Sequence, residues 1–268
     1  MLNTKASTVP SWTRWHTLGL GLLLVGMIGL ELFVPGDLRV TTWLSVLALL
    51  VVFALLVGHG ITGRWLGVLI DSTNKISLSR LQMLLWTILI LSGLLTAVAA
   101  NVAAGVDEPL TITVPASLWL LMGISTASMI GSPILQNVQQ QRAASVVAKQ
   151  QALAQFARRS VDPVYIRFSG QMVMNQSVDA ASIADIFAGS GVSTVGLVDI
   201  GQIQMFFFTL TLLFAYGTGL AHLFSTEAPL LAFPTLDAGM VALLGISHTG
   251  FLVNQAIPQN VSSTNLLN

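Results

Sequence analysis

Gln82 and Gln204 are the polar side chains whose spacing first suggests shared chemistry, because each holds the same place in two similar stretches. Residues 76–87 read ISLSRLQMLLWT, and residues 198–209 read VDIGQIQMFFFT, 122 positions later without a gap. If the two stretches are helices related by a pseudo-twofold axis, the uncharged amides of the two glutamines would face each other. They would then form a polar constriction among apolar helices, as a path for small solutes requires.

Helix capping is the alternative role for Gln82, and we favour it. Ser79 and Gln82 have the spacing of a capping box, in which the hydroxyl accepts a hydrogen bond from the third helical N–H and the glutamine reaches back to the cap amide. Asp199 and Gln202 offer the same arrangement one turn earlier in the second stretch. On this interpretation Gln82 is a local helix-start residue.

Two further matched positions hold small residues: Gly123 with Ser125, and Gly245 with Ser247. They lie at the same offset of 122 residues, within LMGIS and LLGIS. Small residues at every fourth position let helix backbones approach closely in a membrane, so we expect packing contacts here. A path lined by hydroxyl groups is the alternative. Ala127, Gly131, Ser128 and Ser132 continue the stripes beyond Gly123.

The histidines and arginines add no recognisable catalytic or metal-binding set. His59 and His248 fall inside apolar runs, where an imidazole either ligates a haem or chlorophyll metal or bonds between helices. No two of the four histidines share a helix at ligand spacing, so we favour the interhelical bond and expect no cofactor, no metal and no enzyme. Arg80, with Asp71 and Lys75, would either bind anionic lipid or a partner protein, or anchor its helix at the lipid headgroups. We favour the anchor.

Membrane helices must position these residues. Apolar residues make up 54% of the chain and charged residues 8%, against about 25% charged in a soluble domain. A crossing helix needs about 20 apolar residues, and six segments without a central charge reach that length. They cover residues 17–34, 42–62, 80–102, 116–136, 203–223 and 236–257. The sequence therefore predicts an all-α integral membrane protein with six transmembrane helices.

The Lys and Arg residues predict the orientation of these helices. All of the 11 except Arg39 fall before the first span, in the second-to-third loop with the adjoining helix start, or between the fourth and fifth spans. Because positively charged loops stay in the cytoplasm, both termini should be cytoplasmic. Net charge is zero and no basic run is long, so nucleic acid is not an expected partner.

The matched stretches predict a tandem repeat of helix pairs. Each unit crosses twice and the linker returns to the same side, so both copies point the same way, as in parallel repeats. The predicted division has an N-terminal two-helix segment over 1–63, repeat 1 over 64–136, a cytoplasmic insert over 137–200, repeat 2 over 201–257 and a polar tail over 258–268.

The insert should begin as an extension of the fourth membrane helix. Residues 137–159 are helix formers without Gly or Pro. Val146, Leu153 and Phe156 form a thin apolar stripe, which would pack on the insert itself or, less favoured, on a second subunit. A hairpin turned near Gly170 and a short helical segment over 181–188 follow. About sixty residues are marginal alone, so the insert should lean on the membrane helices or on a partner.

Four segments together resemble an uncharacterised family of bacterial membrane proteins. They are residues 77–87, 121–133, 185–189 and 198–209, and the resemblance covers roughly residues 63–256. That family has no assigned activity. The resemblance therefore implies the topology and a location in the bacterial inner membrane, and it implies no function.

Two functions fit these observations. The favoured one is a non-enzymatic scaffold, which oligomerises or anchors a larger membrane complex through its insert and its Gly-rich helices. The alternative is a channel or facilitator, with a path lined by Ser, Thr and Gln of the third to sixth helices. Partners would be the lipid bilayer, further copies of the chain or other membrane subunits.

Overall fold

A computed structural model describes residues 12–33, 38–158, 165–226 and 228–257, and these ranges are mostly helical. The α-helices are α1 Arg14–Phe33, α2 Arg39–Thr62, α3 Leu78–Ala103, α4 Ala116–Gln141, α5 Val146–Arg158, α6 Ile200–Phe224 and α7 Ala238–Ala256. Within the described ranges, five helices are long and apolar enough to cross a membrane: α1, α2, α3, α4 and α6. The chain therefore has an all-α, multi-pass membrane fold.

Side chains of two different types start α3 and α6. Ser77 accepts from the N–H of Arg80 at 3.5 Å, and Asp199 accepts from the N–H of Gln202 at 3.2 Å. The capping box predicted at Ser79 is therefore wrong: the chain is extended at Ser77, so the helix begins two residues earlier than that box requires. The cap predicted at Asp199 is confirmed.

Four helices form a bundle in which α3 packs on α4 and α6, and α7 packs on the same two helices. The pair α4 and α7 runs in parallel, since Ser117 bonds to the backbone of Leu236 near their starts and Gln139 to that of Gln255 near their ends. Helix α2 packs on α3, and α1 lies against α2 and α3. We call the end of the bundle beside the insert the insert end, and the opposite end the loop end.

The buried face of α4 changes character along its length. From its start at the loop end, the buried positions are Leu118 and Leu121, then three serines, then two glutamines at the insert end. Helix α7 repeats the trend in part, with buried Val241 and Leu244 followed by Ser247 and His248 and then by Phe251. The interface of α4 and α7 is thus apolar toward the loop end and mainly polar toward the insert end.

The insert begins as an extension of α4, as predicted, but only as far as Gln141. The helix stops at Gln141 because Arg142 adopts an extended conformation, and α5 starts afresh after Ser145, whose hydroxyl accepts from the N–H of Ala148. The predicted hairpin is confirmed: β1 Ile166–Ser169 pairs antiparallel with β2 Met172–Asn175 around Gly170. A short 3-10 helix, Ile183–Phe187, lies within the predicted helical segment.

Helix α5 packs on the hairpin through small residues. Ala148 and Ala152 are fully buried against Val173, and Phe156 packs partly beside them. Alanines at this spacing bring the helix close to the strand, which leaves the stripe residues Val146 and Leu153 on the outer surface. The predicted packing of the stripe on the insert is therefore right for Phe156 and wrong for the other two.

The insert is held against the membrane helices by backbone hydrogen bonds. The N–H of Gln171 donates to the carbonyl of Gln139 at 3.0 Å, and the N–H of Asn175 donates to the carbonyl of Thr73 at 3.0 Å. Arg64, which follows α2, donates to two carbonyls of the insert. A shared apolar cluster joins Ile186 to Met205 and Phe251. The insert therefore leans on the bundle, as its small size predicts.

Candidate functional site

Gln82 is buried in the bundle, with 1% of its surface exposed. Its Nε2 donates to Thr209 Oγ1 at 2.5 Å and to the carbonyl of Met205 at 3.3 Å. Gln204 instead lies on the exposed side of α6. The prediction that the two glutamines face each other is wrong, because α6 presents Met205 and Thr209 to α3 and turns Gln204 away.

His248 and Ser128 link α7 to α4 within the polar half of the bundle. Ser128 Oγ lies 2.5 Å from His248 Nδ1, and His248 is 2% exposed. This is the hydrogen-bonded contact between helices that the sequence favours for His248. Ser125 and Ser247 are also buried here.

Several buried polar atoms of the bundle have no protein partner among the described residues. Such atoms in proteins ordinarily bond to water or a ligand, and in a membrane helix an unpaired polar group marks a functional candidate. They all lie on α3, α4, α6 or α7. The atoms are Ser79 Oγ, Gln82 Oε1, Trp86 Nε1, Ser125 Oγ, Gln136 Oε1, Tyr216 Oη, Ser247 Oγ, His248 Nε2 and Gln255 Oε1.

Of the two glycines in the matched pairs, Gly123 does not bring helices together as predicted. Gly123 is exposed, and a Cβ added there would meet nothing within 4 Å. A Cβ at Gly245 would make an ordinary contact with Ile124 at 3.6 Å. The close approach of α4 to α7 instead uses the serine stripe, so the packing prediction is wrong for Gly123 within the described chain.

A polar cluster closes the insert end of the bundle, formed by Asp71, Lys75, Gln136 and Asp185. Gln136 Nε2 donates to Asp71 Oδ2 at 3.2 Å, which ties α4 to the connector before α3. Asp185 Oδ2 accepts from the N–H of Ile76 at 3.3 Å, which ties the insert to the same connector. Together with Lys75, these groups line a cavity of about 40 Å³, enough for one or two water molecules.

The charges in this cluster are perturbed by burial. Burial lowers the pKa of Lys75, and Asp185 and Asp71 counteract it through space. Burial also raises the pKa of Asp185, against its two backbone hydrogen bonds and the charge of Lys75. Lys75 is therefore directed into the protein, which does not fit the less favoured alternative of a surface cluster that binds lipid. The favoured role, an anchor of the helix at the headgroups, stays a prediction. Arg80, in the first turn of α3, donates to the carbonyl of Val68 at 3.5 Å.

Asp185 should make docking of the insert sensitive to pH. Folding raises the pKa of Asp185 above its ordinary value of 3.8. Just above pH 3.8 the folded protein therefore binds more protons than the unfolded chain, so the free energy of unfolding falls as pH rises through the folded-state pKa. Asp185→Asn keeps an oxygen for the backbone N–H groups and removes the titration. We expect thermal midpoints between pH 4 and 7 to fall less with pH in this variant than in wild type.

The control for this measurement is Asp179→Asn, which removes a carboxylate at another position of the same insert. Its pH profile should follow that of the wild-type protein. Identical profiles for wild type and Asp185→Asn would contradict the proposed titration.

A larger cavity of about 400 Å³ lies where the insert meets the ends of α4, α6 and α7. We call it the interface cavity. Its wall includes Gln139, residues 189–191, Thr194, residues 197–202, Asn254 and Gln255. Asp199 Oδ2 accepts from Gln202 Nε2 at 3.2 Å and from Asn254 Nδ2 at 3.4 Å.

The chain matches no protein-family model, no curated protein and no solved structure.

Sequence reasoning missed a contact between two histidines of different helices. His16 Nε2 lies 3.1 Å from His59 Nδ1, and the ring of His59 stacks on Trp65 at 4.5 Å. The N–H of Thr13 donates to His16 Nδ1, so His16 carries its proton on Nε2 and donates to His59. The positions of His16 and His59 at the same ends of adjacent antiparallel spans are the signal that could have revealed it.

Proposed function

We propose that the protein is a non-enzymatic scaffold, an oligomerising or anchoring subunit of a larger membrane complex. The observation that carries this proposal is the outward face of α5. Val146 and Leu153 are seven residues apart and lie on one helix face, and they are 71% and 41% exposed. An insert fixed to the bundle, with apolar side chains turned away from it, offers a rigid contact for another protein.

The apolar half of the bundle adds support, because buried apolar side chains fill its interior between the described helices. Leu118, Leu121, Leu220 and Leu244 are fully buried and pack in one cluster with Trp86. A solute that entered at the polar insert end would meet this cluster before it reached the loop end.

A channel or facilitator is the second candidate, and the polar half of the bundle is the observation that favours it. The hydroxyl and amide groups of α3, α4, α6 and α7 face inward there, and several have no protein partner in the described ranges. A path lined by Ser, Thr and Gln would begin at the insert end and would need the apolar cluster to open.

We further propose six spans, with α7 as the sixth, and a tandem parallel repeat of α3–α4 and α6–α7. The starts of matching helices support it, since each pair is 122 residues apart, 78 to 200 and 116 to 238. Both termini and the insert would lie in the cytoplasm at the bacterial inner membrane, in keeping with the Lys and Arg distribution.

The mass of the complex released from native membranes by mild detergent tests the scaffold. We expect a homo-oligomer or a fixed-ratio complex, and we expect Val146→Lys with Leu153→Lys to reduce it to the single chain. Lysines on the exposed face of α5 should leave folding intact, because the side chains that they replace are exposed. They should oppose an apolar contact between this face and another protein. Lys substitutions at Gln151 and Ala154, which are exposed at other positions around the same helix, provide the control.

A single chain from native membranes would contradict the scaffold. Solute flux into liposomes that contain the pure protein would favour the channel, provided that Gln82→Leu abolishes it. Gln204→Leu is the matched control, because it changes the corresponding glutamine on the exposed side of α6.

A further inference from the structure

The interface cavity combines a polar wall with a single charged side chain. Asp199 is the only ionisable residue among the described residues that line it, and no Lys or Arg does so. The carboxylate accepts hydrogen bonds from two side-chain amides. In the same wall, Gln255 Oε1 is buried without a hydrogen-bond partner in the described chain. These acceptors suit a ligand that donates hydrogen bonds and carries positive charge.

The rim of the cavity is apolar and lies at the start of a membrane helix. Leu197, Val198 and Ile200 line the cavity, and they are 53%, 63% and 70% exposed. Ile200 begins α6, one of the five helices fit to cross a bilayer. The opening is therefore at the level of lipid headgroups, with an apolar surface along which acyl chains can lie.

We propose that the interface cavity binds the headgroup of an aminophospholipid, of the phosphatidylethanolamine class. The primary ammonium would bond to Asp199 and Gln255 Oε1, and the acyl chains would lie along Leu197, Val198 and Ile200. The phosphate would accept hydrogen bonds from the backbone N–H groups at the start of α6 and from the side-chain amide of Asn254. Anionic lipids are disfavoured, since the wall has a carboxylate and no cation to balance a net negative headgroup.

This inference rests on α6 crossing the membrane, and it does not depend on the scaffold role. A volume of about 400 Å³ accommodates a headgroup and excludes the bulk of the acyl chains, which agrees with the apolar rim. An aminophospholipid held here would join the insert to α6 and α7.

Native mass spectrometry of the full chain, released from vesicles of defined composition, tests the proposal. We expect the protein to retain phosphatidylethanolamine from mixed vesicles, and to retain phosphatidylcholine and phosphatidylglycerol at least about tenfold less. Phosphatidylcholine lacks an ammonium N–H to donate, and phosphatidylglycerol lacks the positive charge. Asp199→Asn should abolish the preference. Asparagine caps a helix as well as aspartate does, so α6 should still form.

Asp237→Asn is the control, because Asp237 caps α7 away from the cavity through its bond to the N–H of Gly239. It should keep the lipid preference. Equal retention of phosphatidylethanolamine and phosphatidylglycerol by the wild-type chain would overturn the proposal, whether or not the variants fold. Preferential binding of soluble phosphoethanolamine without acyl chains would also overturn it, in favour of a small amine ligand.

Discussion

Gly170→Ala should detach the insert from the membrane helices. Gly170 has a φ of +54°, and a Cβ added there would overlap the carbonyl oxygen of Gln140 and lie 2.7 Å from that of Arg142. Both neighbours are backbone atoms at the end of α4, so no side chain can rotate away. The left-handed conformation costs an alanine about 1 kcal/mol, and overpacking adds about 1–3 kcal/mol.

Limited trypsin digestion in mild detergent measures this effect. The hairpin bonds to α4 through Gln171, so displacement of its turn should loosen the backbone around Arg142, Lys149 and Arg158 and let trypsin cleave there. We expect cleavage in the insert roughly tenfold faster than in wild type or more, since the lost docking energy exceeds about 1.4 kcal/mol, while the membrane helices stay resistant.

Gly105→Ala is the matched control, since it separates backbone strain from the clash. Gly105 also has a positive φ, +69°, but a Cβ there would meet nothing within 4 Å. This variant should be destabilised only by backbone strain, and trypsin should digest its insert at nearly the wild-type rate. Equal sensitivity of the two variants would show that the contact with α4 does not hold the insert.

The apolar pattern predicted most of the fold because membrane helices have a strong and simple signal. The predicted span at 116–136 begins at the first residue of α4, Ala116–Gln141, and the run at 203–223 lies inside α6, Ile200–Phe224. What failed was the predicted continuation of the helix past Gln141. Helix propensity favours an uninterrupted helix there, but the hairpin that docks on Gln139 and Gln140 requires α4 to end, and propensity holds no information about that docking.

The candidate site was less predictable, since repeated sequence does not fix helix rotation. Gln82 and Gln204 occupy matching positions, yet only Gln82 faces the bundle. A rotation of α6 by one residue, about 100°, is enough to replace a glutamine with Met205 and Thr209. The interface cavity was missed for a different reason: Asp199 and Asn254 are 55 residues apart and meet only when the insert, α6 and α7 pack together.

Trp86→Ala should cause the largest loss of stability within the bundle. Trp86 is 1% exposed and packs against Leu121, Tyr216 and Leu244 in the main apolar cluster. Its ring makes an edge-to-face contact with Tyr216 at a centroid distance of 6.3 Å. Removal of a buried indole costs about 3–5 kcal/mol through lost contacts and the cavity left behind. Dispersion is the larger part here, because lipid supplies little hydrophobic drive between helices.

Trp119→Ala is the control, because the same substitution on neighbouring α4 removes an indole that is 59% exposed. Thermal unfolding in detergent, followed by the helical circular dichroism signal, should give a midpoint lower by roughly 10 °C for Trp86→Ala and almost unchanged for Trp119→Ala. Similar midpoints for the two variants would mean that the α3–α6 contact is not the centre of the bundle. The packed apolar half of the bundle, which supports the scaffold over a channel, would then lose its main evidence.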